Sequence, residues 1–231
     1  MSRYITKIGI TCSYIPRKYV FLPNTYVRAI VKNGGRPYLI PVISSSSTEK
    51  YNELIKNYID SLDGFLFSGG GGVATNNHKF HYKQKVSLKA QSSVRYHWEK
   101  TLLIAAINNG KSILGICRGH QMLATYLGLK LTEFKKDHYK TVHSLSCVPD
   151  THIAKILNSK KAKVNSSHKQ CVLYNKDCLG NKFRASMFSK EKYVETLESV
   201  DGKIITTQFH PERMKATQSL FKYFIDSSRK Y

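Results

Sequence analysis

Three short stretches carry residue types that together could break an amide bond. The densest is Gly115-Ile116-Cys117-Arg118-Gly119-His120-Gln121, which lies between an apolar run and a helical pattern. This is the spacing of a nucleophile elbow with cysteine in the serine position. Small residues two places either side of the thiol suit a tight turn packed against close neighbours. Such a turn presents its side chain at the carboxyl end of a parallel sheet, where open α/β folds bind ligands. A helix N-terminus and the adjacent Arg118 both favour thiolate over thiol. A buried structural cysteine beside an incidental glycine turn is the alternative for these seven residues alone.

A nucleophilic thiol needs a partner that holds a proton and returns it to the leaving amine. Gln208-Phe209-His210-Pro211-Glu212 offers one. His210 ends an apolar run, and Glu212, two positions on, can lie on the same side of an extended segment. Its carboxylate could then accept from the imidazole and fix its tautomer. Taken alone, His-Pro-Glu also fits a surface turn. Acyl transfer further needs donors for a developing oxyanion. The Arg118 backbone N–H, next after the thiol, is one. Ser68-Gly69-Gly70-Gly71-Gly72 can bring a second, because glycines let backbone amides approach closely. The run lacks both the Gly-Lys-Ser/Thr ending and the Gly-x-Gly-x-x-Gly opening of phosphate-binding loops. A plain flexible loop stays open as a reading.

The elements that must hold these parts alternate along the chain. Apolar runs at 7–12, 37–42, 65–67 and 112–116 read as strands. The wholly apolar 65–67 run suits the centre of a parallel sheet. Helical patterns cover 26–33, ending at Gly34-Gly35, then about 46–58, 96–108 and 119–127. Ser46 and Glu49 have capping-box spacing at the second of these. The second half is richer in strands, at 143–145, 193–197 and 203–209, and closes on a helix over 215–226. The order predicts an α/β fold, flavodoxin-like, with a mainly parallel central sheet flanked by helices on both faces. A small antiparallel region is expected in the C-terminal half. No linker-like stretch divides residues 1–231, so one domain is expected.

Charge is the unusual feature. Lys and Arg number 37 against 15 Asp and Glu, a formal net charge of +22. Residues 130–192 hold 14 basic and 5 acidic side chains, a modest enrichment and not a discrete tail. Non-specific attraction of polyanions follows from such a field. Five cysteines without paired spacing argue against a disulfide framework and for a reducing compartment, the cytoplasm. No run reaches the ~20 apolar residues of a spanning helix, and no signal-peptide pattern opens the chain. His78 and His81, three apart without Cys or acidic partners, make a poor metal pair, so no metal is expected.

The motifs resemble the class I glutamine amidotransferase-like superfamily. Within it they are most similar to the gamma-glutamyl-gamma-aminobutyrate hydrolase family, stand-alone cysteine peptidases acting on gamma-glutamyl amides. Val164-Asn165-Ser166-Ser167-His168-Lys169-Gln170 favours this branch. Gly34-Gly35-Arg36-Pro37, Asp63-Gly64, Glu99 and Val194-Glu195 also fall in family order. The resemblance implies Cys117 as nucleophile, His210 as general base and acid, and Glu212 as the orienting carboxylate. It implies an oxyanion hole of Gly70 and Arg118 amides, and a gamma-glutamyl pocket lined by Gln121, Asn165, Ser166 and His168. It implies a small gamma-glutamyl substrate. Thiol, imidazole and amide dipoles suffice for this chemistry, so no cofactor is expected, and a homodimer is left open.

Two departures bear on the leaving group. The family's Asp-Val-x-Pro-like continuation is here Gly72-Val73-Ala74-Thr75-Asn76, and Tyr96 follows Arg95 where the family has an acid. Both remove negative charge from the rim, so an amine-bearing leaving group is expected to bind less well. The function expected is a gamma-glutamyl amide hydrolase. The alternatives are a glutaminase subunit delivering ammonia to a separate synthase and a basic polyanion-binding protein on an inactive scaffold.

Overall fold

The computed structural model describes residues 4–15, 18–43, 48–73, 87–134 and 140–229. In chain order the first half holds β1 (Lys7–Thr11), β2 (Ser13–Ile15), β3 (Tyr19–Phe21), α1 (Asn24–Lys32), β4 (Arg36–Ile40), α2 (Thr48–Ser61), β5 (Gly64–Phe67), α3 (Ser87–Asn108), β6 (Ser112–Ile116) and α4 (Arg118–Tyr126). The second half adds β7 (Leu131–Glu133), β8 (Thr141–Cys147), α5 (His152–Leu157), β9 (Lys161–Ser166), β10 (Gln170–Val172), β11 (Phe183–Phe188), β12 (Val194–Ser199), β13 (Ile204–Thr207) and α6 (Gln218–Ser227).

One 11-stranded sheet runs through both halves. Strands β4, β1, β5, β6 and β13 are parallel neighbours in that order. From β13 onward β12, β11, β8 and β9 continue antiparallel, and β10 pairs with β12 and β7. The expected parallel sheet is thus present, and its antiparallel strands extend the same sheet. A separate hairpin of β2 and β3 had no signature in the apolar pattern.

Side chains alternate across the central strands as a two-residue period requires. Phe65 and Phe67 of β5 pack on one face with Trp98, Leu102 and Ile113. Leu66 packs on the other with Ile8, Ile10, Leu114, Ile116 and Phe221. Both faces are covered, which is why β5 and β6 are wholly buried and carry no polar alternation. Helix α1 stops where Gly34 enters positive φ, +87°, while Gly35 N–H returns to the Ile30 carbonyl. The proposed cap at Ser46 and the pair His78 and His81 lie outside the described residues. Among the described residues no helix is long and apolar enough to cross a membrane, and no group of three His, Cys, Asp or Glu is arranged to hold a metal.

Trp98, the only tryptophan, is fully buried between Tyr51 and Tyr58, with ring centroids 5.0 and 6.2 Å away at edge-on angles. Its indole N–H has no acceptor among the described residues. Trp98→Ala is expected to lower unfolding free energy by ~3–5 kcal/mol. Trp98→Phe, which keeps an aromatic ring and deletes the unpaired donor, is expected to lose less than about 1.5 kcal/mol. Urea denaturation followed by circular dichroism checks both.

Candidate active site

The elbow between β6 and α4 forms as the glycine spacing requires. Cys117 has φ 53° and ψ −96°, a conformation that L-residues avoid. Its N–H donates to the Thr207 carbonyl at 2.7 Å, tying the turn to the end of β13. A Cβ at Gly115 would approach Thr206 Cγ2 to 2.6 Å, and one at Gly119 would run into the Phe67 carbonyl oxygen. The first helical hydrogen bond of α4 is Gln121 N–H to the Cys117 carbonyl. The Arg118 N–H therefore has no acceptor within the helix.

His210 follows β13 and opens the short 3-10 turn Pro211–Arg213. Its Nδ1 lies 2.8 Å from Glu212 Oε1, and the Cys117 side chain is close enough to act on the ring. Because a carboxylate only accepts, Nδ1 carries the proton. Burial alone would push the imidazole down. The adjoining Cys117 and Glu212 side chains outweigh it and push the pKa up to about 9. Arg213 approaches Glu212 Oε1 at 3.2 Å, while Oε2 is buried with no hydrogen bond among the described residues.

The glycine loop passes beside both. A Cβ built on Gly69 would stand 2.9 Å from His210 Cε1 and 3.5 Å from Cys117 Cβ. Gly69 N–H donates to Tyr26 Oη at 2.9 Å, and that hydroxyl is 3.5 Å from His210 Nδ1. Gly70 N–H has no acceptor among the described residues. The structure thus gathers Cys117, His210, Glu212, Gly70 and the start of α4 in one place.

The remaining predicted residues divide. Asn165 commits both ends of its amide to the His210 backbone: Nδ2 donates to the carbonyl and Oδ1 accepts from the N–H, each at 2.9 Å. Its geometry holds the imidazole's backbone. Gln121 Nε2 donates to Gln208 Oε1 at 3.2 Å, and Gln121 Oε1, Gln208 Nε2 and Ser166 Oγ are buried without partners among the described residues. His168 Nδ1 donates to the Gln170 carbonyl at 2.9 Å, and its Nε2 lies 4.0 Å from buried Glu195. His143 Nε2 stands 3.8 Å from the same carboxylate. His120, central in the elbow motif, is fully buried; burial drives its pKa down to about 3, so it is a neutral packing residue.

Three further participants are given no role by the sequence motifs, and of these only Tyr26 lies outside them. Tyr26 touches the site from α1, Gln170 from β10, and Gln208 from the end of β13 beside His210. Gln170 pairs with both the N–H and carbonyl of Val73, at 3.0 and 3.1 Å. Any side chain at position 72 would collide with that glutamine.

A cysteine elbow on a parallel sheet, facing a His-Glu pair and a glycine loop, defines a class I glutamine amidotransferase-like protein. The chain belongs to the Peptidase C26 family, whose profile matches residues 8–212. A Schizosaccharomyces pombe protein, provisionally named glutamine amidotransferase PB2B2.05, is 31% identical over 94% of this chain and 87% of its own length. Protein NtpR of Enterococcus hirae is 26% identical over 94% of each. A crystal structure from Thermoplasma acidophilum, provisionally described as that of a GMP synthase component, shares the fold with a TM-score of 0.70. It has 18% identity, over 98% of this chain and 95% of that one.

Proposed function

We propose that this protein hydrolyses gamma-glutamyl amides through a thioester on Cys117. The observation that carries the reading is the convergence of thiol, imidazole and carboxylate, with the Gly70 and Arg118 amides beside them left without acceptors among the described residues. In the first half-reaction the Cys117 sulfur attacks the amide carbonyl carbon, and the two amides receive the oxyanion. His210 gives its proton to the leaving nitrogen as the carbon–nitrogen bond breaks, which leaves a thioester. In the second, His210 takes a proton from water, which attacks the thioester carbonyl; the carbon–sulfur bond breaks, glutamate leaves, and the imidazole keeps that proton beside the freed thiolate. Glu212 keeps the Nδ1 proton in place throughout, so that the other ring nitrogen does the exchanging.

The glutamyl part of the reading rests on the unpartnered polar atoms near the elbow. Gln121 Oε1 is an acceptor suited to an α-ammonium, and Gln208 Nε2 and Ser166 Oγ are donors suited to an α-carboxylate. Buried groups without partners are costly unless a ligand completes them. The test is glutamate release from a panel of gamma-glutamyl amides, glutamine included, with Cys117→Ala as control. Release from at least one member by the protein alone, lost in the control, is the expected result. Release from none, or ammonia release only with an added synthase, would overturn it.

A further inference from the structure

Thr11, Arg95, Glu99 and the Arg118 side chain take no part in the steps above, yet all are buried. Glu99 Oε1 accepts from Arg95 Nε at 2.8 Å and Thr11 Oγ1 at 3.0 Å, and its Oε2 accepts from Arg118 Nε at 2.8 Å. The outer nitrogens of both arginines then reach the glycine loop. Arg95 Nη2 donates to the carbonyls of Ser68 and Gly69 at 3.3 and 3.1 Å. Arg118 Nη1 donates to those of Gly71 and Gly72 at 2.8 and 2.7 Å. Thr11 Oγ1 also accepts the Ser68 N–H at 3.1 Å.

We infer that this Arg95–Glu99–Arg118 network is a positioning device that locks the oxyanion hole open, with the Gly70 N–H and not a carbonyl turned to the thiol. In a trans peptide the carbonyl and the following N–H point in opposite directions. A guanidinium holding the Gly69 carbonyl therefore turns the Gly70 N–H away from Arg95. The same holds one peptide earlier, where the Ser68 carbonyl is on Arg95 and the Gly69 N–H is on Tyr26. Flipping the 69–70 peptide would break a charge-assisted bond and carry a carbonyl oxygen into the hole.

Glycine at position 70 is part of the device. Its φ is +153°, and a Cβ there would collide with Arg95 Nη1. Two guanidiniums on one carboxylate also leave unit positive charge behind the loop, in an interior where it acts on a nearby oxyanion with little screening. The hole is formed in the isolated chain, before any substrate or partner binds.

This inference rests on reading Cys117 as the acyl acceptor, and it is independent of which amine leaves. The probes are p-nitrophenyl acetate and iodoacetamide, with reaction at other cysteines subtracted using Cys117→Ala. In the first, the sulfur bonds to the acetyl carbon, an oxyanion forms, and p-nitrophenolate leaves. In the second, the sulfur displaces iodide with no oxyanion. Glu99→Gln is expected to slow acylation about tenfold or more while alkylation stays within about twofold. Thr11→Val, isosteric and neutral, is expected to slow acylation about threefold with the same sparing of alkylation. Unchanged acylation in both variants, or parallel falls in the two rates, would overturn the inference. Selective loss of acylation alongside wild-type failure on every gamma-glutamyl amide would leave the lock standing and remove the substrate reading.

Discussion

Cys117→Gly is expected to abolish turnover and yet be more stable than Cys117→Ala. The elbow holds residue 117 at φ 53° and ψ −96°. For an L-residue this region costs ~1–3 kcal/mol, and glycine enters it freely. Glycine's greater freedom in the unfolded chain opposes by about 0.4–1 kcal/mol. The net preference for Gly over Ala is therefore about 1 kcal/mol, or a Tm difference of ~2–4 °C for a chain of this size. Both variants lose the sulfur and its contact with His210, so those losses cancel in the comparison. Both are expected to lose at least ~10⁴-fold in kcat, because a nucleophile removed from a unit takes most of the unit's effect with it. Thermal unfolding and glutamate release on the same preparations test this. An alanine variant as stable as the glycine variant would mean the elbow stores no strain.

That strain was implicit in the sequence, because Gly115 and Gly119 are legible as the neighbours of a sharp turn. The same is true of β5 and β6, whose unbroken apolar runs state that both faces are covered. What the sequence hid is where a polar side chain finds its partner across a long separation. Asn165 fits a pocket-lining motif, but its amide closes on the His210 backbone, 45 positions away. Arg95 is placed by a helix and does its bonding on a loop 26 and 27 positions earlier. Strand β12 is another case: Glu195, Thr196, Glu198 and Ser199 make it read as half-solvated, yet all six of its residues are buried. Glu198 is tolerated there because it accepts the His152 and Ile153 N–H groups at the start of α5 and the Arg184 Nε, at 2.8, 3.0 and 2.7 Å. Periodicity reports burial of apolar groups and is silent about polar groups satisfied inside.

Glu212→Gln is expected to lower kcat by ~10²–10⁴-fold and to move the alkaline limit of the residual activity to lower pH. Glu212 acts on His210 in two ways. Its oxygen accepts the Nδ1 proton at 2.8 Å, which fixes the tautomer, and its charge stabilises the imidazolium. An amide in its place can donate to Nδ1, which turns the ring over to the wrong tautomer; this accounts for the loss in kcat. Removing the charge also removes one of the causes that hold His210 near 9 against the opposing effect of burial. The leaving amine needs that proton, so wild-type kcat/KM should fall as pH rises through about 9. In the variant the fall should begin at least about one pH unit lower, since a full charge within hydrogen-bonding distance shifts a neighbour by ~1–3 units. Stability should follow the same sign. The raised imidazole contributes fully below about 6.5, and its contribution is lost as pH rises through about 9. Glu212→Gln should thus destabilise the fold more at pH 6 than at pH 10. A variant whose activity keeps the wild-type alkaline limb, with kcat reduced at every pH alike, would show that Glu212 orients the ring and leaves its proton affinity untouched.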